Sequence, residues 1–480
     1  MNYLIKTVLS YLFFHITNVH ISAQTDQEKW LAAIKDIDLP IVEITTVDGE
    51  MPTYEVVTHP EGAMGNSITN ATKVPARMTI RKGKDIIYDS GEYEEKESGI
   101  TIKVRGNTSA LMKKKSYKLK LQTKADLLHR GNDEKYRDKN WLLLKDDNFY
   151  TIIGNKVNEL MELQWTPQGE YVNVIVNGEY FGFYYLSESV ERNDKCRINV
   201  DKKSGYIFEF DAYWWNEDLY VQSPILVKKS ANYTFKYPDS DDITDNQLEY
   251  FTQMIYQVEN SLITGTYPEH LDVESLAAWM LAHDILGNRD SGGSNIYMTK
   301  YDNTSQSKVK MACLWDFDHI FEMDDNWDRV HNSFYFKWLF PNKNSTFLSC
   351  YKDLWKNKGV KVVRSVINWL QEMQESPISS AINQSKLLDN ERWHRSDATI
   401  DEQFDVAIDW FERRKVWLDM NILGKESSVD DVDSQDNNDI YRKEYYTIGG
   451  VKSSKSQKGS NIVKSYHSDG KVSTQKIFYK

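Results

Sequence analysis

The sequence predicts an α+β chain, a β-rich lobe followed by a helix-rich one. Alternating apolar runs of period two dominate as far as Phe210, and apolar stripes of helical spacing dominate from Asp245 onward. The tail differs in kind from both, because an acidic stretch is followed there by a basic one.

Taken in order, residues 1–23 read as a secretory leader, with Lys6, the apolar run Thr7–Phe14 and Ile21-Ser22-Ala23 before Gln24. Residues 24–99 read as a β-rich extension, where Leu39–Val47 is a β-branched run ahead of the Asp48-Gly49 turn. Ile100–Val104 and Ser116–Leu121 alternate as strands, and Asp147–Leu163 changes to helical spacing through Ile153, Val157, Leu160 and Met161. Tyr171–Val176 and Tyr180–Leu186 flank Asn177-Gly178, the strongest short hairpin signal available. Gly205–Phe210 is a further strand. Helices follow at Gln247–Leu262, Val273–Leu286, Val360–Met373 and Asp401–Leu423, and Ser294–Lys300 with Val309–Leu314 forms a strand pair among them. The main domain is therefore expected over residues 100–425. A linker follows at 426–440, with six acids and no base, and then a small β-module at 441–480, with nine Lys/Arg against two acids.

Charge narrows the function classes. The 480 residues carry 59 Lys+Arg against 71 Asp+Glu, a net charge of −12, so nucleic acid is excluded as the expected partner. No stretch after the leader is long and apolar enough for a membrane helix, and an exported, soluble chain is expected, secreted, periplasmic or at the cell surface. Three cysteines (Cys196, Cys313, Cys350) make no disulfide scaffold, and the absence of CxxC and HExxH gives zinc no support.

Chemistry concentrates in two short segments. In Gly287-Asn-Arg-Asp-Ser-Gly-Gly-Ser-Asn295, Asp290 and Asn295 stand five apart on a loop between a helix and a strand. That is the spacing of a protein-kinase catalytic loop, where the Asp orients the attacking hydroxyl and the Asn holds a metal ion. Beyond the strand pair comes Leu314-Trp-Asp-Phe-Asp318, whose Asp316 or Asp318 falls where a second metal-holding carboxylate belongs. Phosphoryl transfer also needs a lysine on the phosphates. Lys113–Lys120 supplies candidates, of which Lys115 is expected to face the cleft, with Glu159 or Glu162 of the next helix as its partner. Arg105-Gly-Asn-Thr-Ser109 is the nearest donor-rich turn for phosphate.

Together, Val104-Arg-Gly-Asn-Thr-Ser109, Lys114–Lys120, Val176-Asn-Gly-Glu-Tyr-Phe-Gly-Phe-Tyr184 with Glu188, Asn288–Asn295 and Trp315-Asp-Phe-Asp318 resemble the spore-coat protein H (CotH) kinase-like family over about Ile100–Gly424. The resemblance implies an atypical protein-kinase-like two-lobe fold that binds ATP with Mg²⁺ or Mn²⁺ and phosphorylates Ser or Thr of secreted proteins. By position, it makes Asp290 the catalytic residue, Asp316 the metal ligand with Asp318 its competitor, Lys115 the nucleotide lysine, and Glu188 a residue near the hinge. Three departures stand out: Lys103-Val104 precedes Arg105-Gly106, Gly154-Asn155 replaces an Arg-Asn pair, and His319 follows the WDFD run. Tyr446–Gly450, Gln457–Val463 and Asp469-Gly-Lys471 resemble, weakly, a type IX secretion sorting module. The competing expectation is a catalytically silent surface protein that binds glycan or protein through its 61 aromatic residues; a glycoside hydrolase ranks third, because no acid pair of set separation is legible.

Overall fold

A computed structural model describes residues 26–63, 65–131, 134–226, 231–323, 328–342, 345–424, 440–447, 452–453, 459–467 and 472–479. The leader at 1–23, and all of the acidic linker except Ile440, lie outside the described residues. The chain is a mixed α+β protein, with a β-rich N-terminal region and helices in the C-terminal half. It divides into two compact units on either side of the Lys415–Val416 bond.

In the first unit a short helix α1 (residues 26–33) precedes strands β1 (Ile41–Thr46), β2 (Glu55–Thr58), β3 (Asn66–Thr69), β4 (Val74–Lys82), β5 (Asp85–Asp89), β6 (Ile100–Arg105), β7 (Ser116–Ala125) and β8 (Asp138–Leu144). Helix α2 (Tyr150–Leu160) and the hairpin β9 (Gly169–Val176) and β10 (Glu179–Glu188) follow. The large sheet runs β1-β9-β10-β8-β7-β6-β4-β5, and β1 pairs with β4 as well as β9, so the sheet closes on itself. Alternation explains the closure: Ile100, Ile102 and Val104 of β6, Leu119 and Leu121 of β7, Trp141 and Leu143 of β8 and Val172, Val174 and Val176 of β9 all turn inward into one buried cluster. Each such side chain contributes roughly 1.5–3 kcal/mol by leaving water. The segment read as an extension supplies β1, β4 and β5 to this same sheet.

A second antiparallel sheet has the order β12-β13-β11-β14-β15, from β11 (Tyr206–Asp211), β12 (Tyr220–Val221), β13 (Asn232–Tyr237), β14 (Ile296–Lys300) and β15 (Val309–Cys313). The helices of this half are α3 (Asp245–Thr264), α4 (Val273–Leu286), which packs on β15, the short α5 (Asp328–His331) and α6 (Phe336–Leu339), α7 (Thr346–Leu354), α8 (Val360–Glu375), α9 (Pro377–Trp393), which packs on β10 of the large sheet, and α10 (Ile400–Leu418). Helix α3 starts in a capping box between Thr244 and Gln247. Helix α4 is mainly apolar and buried from Leu276 to Leu286, His283 and Asp284 included, which makes it a fixed axis for the loop that leaves it. Gly287 ends it at φ 58°, where an added Cβ would come within 2.2 Å of Trp410. The three cysteines are unbridged, Cys313 being fully buried. Among the described residues no helix is long and apolar enough to cross a membrane.

The second unit contains a four-stranded antiparallel sheet, ordered β17 (Lys452–Ser453), β16 (Ile440–Thr447), β18 (Gly459–His467), β19 (Val472–Tyr479).

Candidate active site

The loops that leave α4 and β15 lie side by side. Asn288 Nδ2 donates to the Asp316 carbonyl at 3.0 Å, the Arg289 amide donates to the His319 carbonyl at 3.1 Å, and the Arg289 guanidinium meets Glu322 at 3.1 Å. Asn288 Oδ1 also accepts from the Asp290 amide at 3.1 Å, which fixes the turn that presents Asp290. Across this seam Asn295 Nδ2 donates to Asp316 Oδ2 at 3.1 Å. Both residues sit at φ 60°. Asn and Asp visit this left-handed region more readily than other side-chain-bearing residues, yet the cost persists only where the surroundings enforce it.

Asp290, Asn295, Asp316 and Asp318 share one cleft of about 810 Å³ with Arg105, so five of the sequence-derived candidates come together. The opposing wall is the outer face of the large sheet. Lys103, Arg105, Ser116 and Lys118 face the cleft, because their neighbours Ile102, Val104, Tyr117 and Leu119 face the barrel interior. Lys103 and Lys118 are direct cross-strand partners, and Arg105 pairs with Ser116. Like charges directly opposite are destabilising. Burial, and then Lys118, hold the Lys103 ammonium below its usual pKa. This row of cations is arranged for an anion. Lys103→Met is accordingly expected to leave the protein unchanged or more stable by about 0.5 kcal/mol in denaturant melts.

Three expectations fall outside the cleft. The Lys115 ammonium donates to the Met112 carbonyl at 2.5 Å and lies 5.3 Å from the Tyr54 ring centre. It precedes β7 and is half-exposed, outside the strand's alternation, so Lys118 is the lysine that strand geometry turns to the cleft. Glu159 is exposed and pairs with Lys156 at 2.9 Å, and Glu162 pairs with Lys358. Glu188 is buried against Arg130 at 2.9 Å and accepts from the Gln168 amide. Burial raises its pKa.

Three acids that line the cleft are raised by confinement: Asp316, Asp146 and Asp211, the last pushed up to about 7 by burial and then by Glu209. Asp316 opens to the solvent of the cleft but is ringed by protein elsewhere; that confinement, with Asp318 and Asp290 close by, pushes its carboxyl up to about 6. Asp146, which precedes α2, accepts from Tyr171 Oη at 2.6 Å and from the Thr151 amide at 3.2 Å, and burial pushes it up to about 6. The folded protein thus holds a proton on Asp146 at a pH where the unfolded chain, with an ordinary value of 3.8, has lost it. That stability is present below about pH 4 and is lost as pH rises through 6. Melts of Asp146→Asn should therefore lose part of the decline in stability that the wild type shows between pH 4 and 6, on the order of 2 kcal/mol. An unchanged slope would remove Asp146 from the account.

Helix α2 is joined to this floor at two points. Asn158 Oδ1 accepts from the Leu314 amide at 2.7 Å, and a Cβ on Gly154 would lie 2.1 Å from the Phe317 ring. Glycine at 154 is what lets Phe317 seat against the helix.

Among the described residues no three His, Cys, Asp or Glu side chains gather closely enough to enclose a metal ion unaided. Mg²⁺ and Mn²⁺ do not require such a cage. They take one or two protein oxygens and complete their shell from phosphate and water. Asp316 and the amide oxygen of Asn295 are hard donors on the correct side of the cleft for that arrangement. Chemically, the cleft sets carboxylate and amide oxygens opposite a row of cationic side chains.

The chain is mixed α+β, and acids and cations line one cleft. The family model described as CotH kinase protein matches residues 102–418, and the chain belongs to that family. Membership marks it as an atypical kinase-like protein. No curated protein matches the chain.

Proposed function

We propose that the protein is an ATP-dependent kinase of Ser or Thr hydroxyls, with a two-lobe kinase-like arrangement in which the closed sheet and the helix-rich part flank the cleft. The observation that carries this reading is the Asn295–Asp316 pair, both residues at φ 60°, on the floor beneath Lys103, Arg105 and Lys118. A cation held by Asp316 and Asn295 would draw charge from the phosphates and make the γ-phosphoryl group a better acceptor. The protein's own groups do the rest. Lys103, Arg105 and Lys118 hold the polyphosphate oxygens against that floor. Asp290, on its turn beside Asn288, orients the acceptor hydroxyl and takes its proton as the new O–P bond forms and the bond between γ-phosphorus and the bridging oxygen breaks, leaving ADP. The acceptor is a protein Ser or Thr.

Export is part of the same proposal. It rests on the leader pattern at 1–23 and on the weak likeness of the basic tail to a type IX sorting module. The test of the activity is incubation of the full chain with γ-labelled ATP and Mn²⁺ or Mg²⁺. Label on Ser or Thr supports the kinase. Absence of label on the chain and on a panel of exported proteins, together with no stabilisation by ATP, favours a surface binding protein.

A further inference from the structure

The hairpin of β2 and β3 belongs to neither large sheet. Among the described residues its strands pair only with each other, and both precede residue 102, where the family match begins. A two-stranded hairpin is marginal in water by itself, so its place depends on what it touches. Alternation along β3 sends neighbouring side chains to different partners. Ile68 is buried in the apolar cluster of the closed sheet, whereas Ser67 is fully buried among polar groups. Residues 68–71 line the cleft beside the turn at 105–109, Tyr213 and Asn216.

Ser67 is where the two walls of the cleft meet. Its hydroxyl donates to Asn107 Oδ1 at 2.6 Å and accepts from Asn216 Nδ2 at 3.0 Å, and Asn216 Nδ2 also donates to the Ile68 carbonyl at 2.9 Å. Asn107 stands on the turn that leaves β6 of the closed sheet, and Asn216 on the stretch between β11 and β12 of the second sheet. One buried hydroxyl therefore joins the wall bearing Lys103, Arg105 and Lys118 to the sheet whose strands β14 and β15 border the Asn295–Asp316 floor. Two more contacts run the same way. Tyr213 Oη lies 3.2 Å from Thr108 Oγ1, and Gly65 packs so closely on Tyr213 that a Cβ would come within 2.9 Å of its hydroxyl. Asn107 precedes a short 3₁₀ turn, yet its side chain does not cap that turn; Ser67 holds it instead. Across the gap that this bridge spans, burial raises the Asp316 pKa and Arg105 opposes the rise, so the walls are within electrostatic reach of each other.

We infer that Ser67 is a positioning residue: by bridging Asn107 and Asn216 it sets the spacing between the cation row and the Asn295–Asp316 floor, so that the hairpin completes the polyphosphate site. The inference rests on the nucleotide reading of the cleft, and a ligand without a base isolates the part of that reading it concerns. The full chain, as wild type, Ser67→Ala, Asn216→Ala and the double variant, is titrated calorimetrically with ATP and with inorganic tripolyphosphate, each with Mn²⁺. Each single variant is expected to bind both ligands about fivefold more weakly, still at one ligand per chain. The double variant is expected to bind within about twofold of the weaker single one, because both changes cut the same bridge. Asn216 is only half-buried, so its variant carries the test should Ser67→Ala not fold. Unchanged affinity in either folded single variant, or losses that multiply in the double, overturns the inference. So does a stoichiometry that falls with no change in affinity, which is what a purely structural residue would show. A wild-type protein that binds neither ligand overturns the nucleotide reading and this inference together, whereas normal wild-type binding with unaffected variants overturns the inference alone.

Discussion

Asp316→Asn should abolish the stabilisation that ATP with Mn²⁺ confers on the full chain. At a ligand concentration 100 times its Kd the wild type is expected to gain about 2.7 kcal/mol, and the variant close to none. The change removes a charge and little else. Asn matches Asp in shape and tolerates the φ of 60° at this position, whereas Ala would add backbone strain of about 1 kcal/mol to the result. Melting without ligand should therefore stay near wild type, or rise slightly, because one of three neighbouring carboxylates is neutralised. A variant that keeps the full ATP–Mn²⁺ shift would show that the cation is held elsewhere.

Asp290→Ala separates chemistry from binding. Transfer of label to Ser or Thr should fall about 10²–10⁴-fold, the usual contribution of a positioned proton acceptor. The ATP–Mn²⁺ shift should survive, because Asp290 makes no hydrogen bond to Asn295 or Asp316. Loss of binding in step with transfer would make Asp290 a metal ligand instead. Retention of full transfer would remove its role altogether.

The parts of this site that could be read from the sequence are those governed by local spacing. The limits Val273–Leu286 of α4 follow from a mainly apolar helix between Asp272 and Gly287, and the loop from Asn288 to Asn295 must then emerge at a helix end. The Asn177-Gly178 hairpin follows equally from its turn residues. Closure of the large sheet does not, because the β1–β4 and β1–β9 pairings join segments whose separation no local pattern records. Helix α9 hides for a different reason. Its buried face carries Ser379, Ser385, Lys386 and Asp389, and Lys386 and Asp389 are charged groups stabilised by Asp397, Lys114 and Arg395 instead of by an apolar stripe. The same alternation that located β7 also decides between lysines. Once Tyr117 and Leu119 are assigned to the interior, Lys118 faces out, whereas Lys115 precedes the strand.

Calorimetric titration of the full chain with ATP, with and without Mn²⁺, tests the central arrangement most directly. Saturable binding of one ATP per chain that requires the metal, and that Asp316→Asn removes, is the predicted result. Metal-independent binding, or none at any accessible concentration, would contradict it.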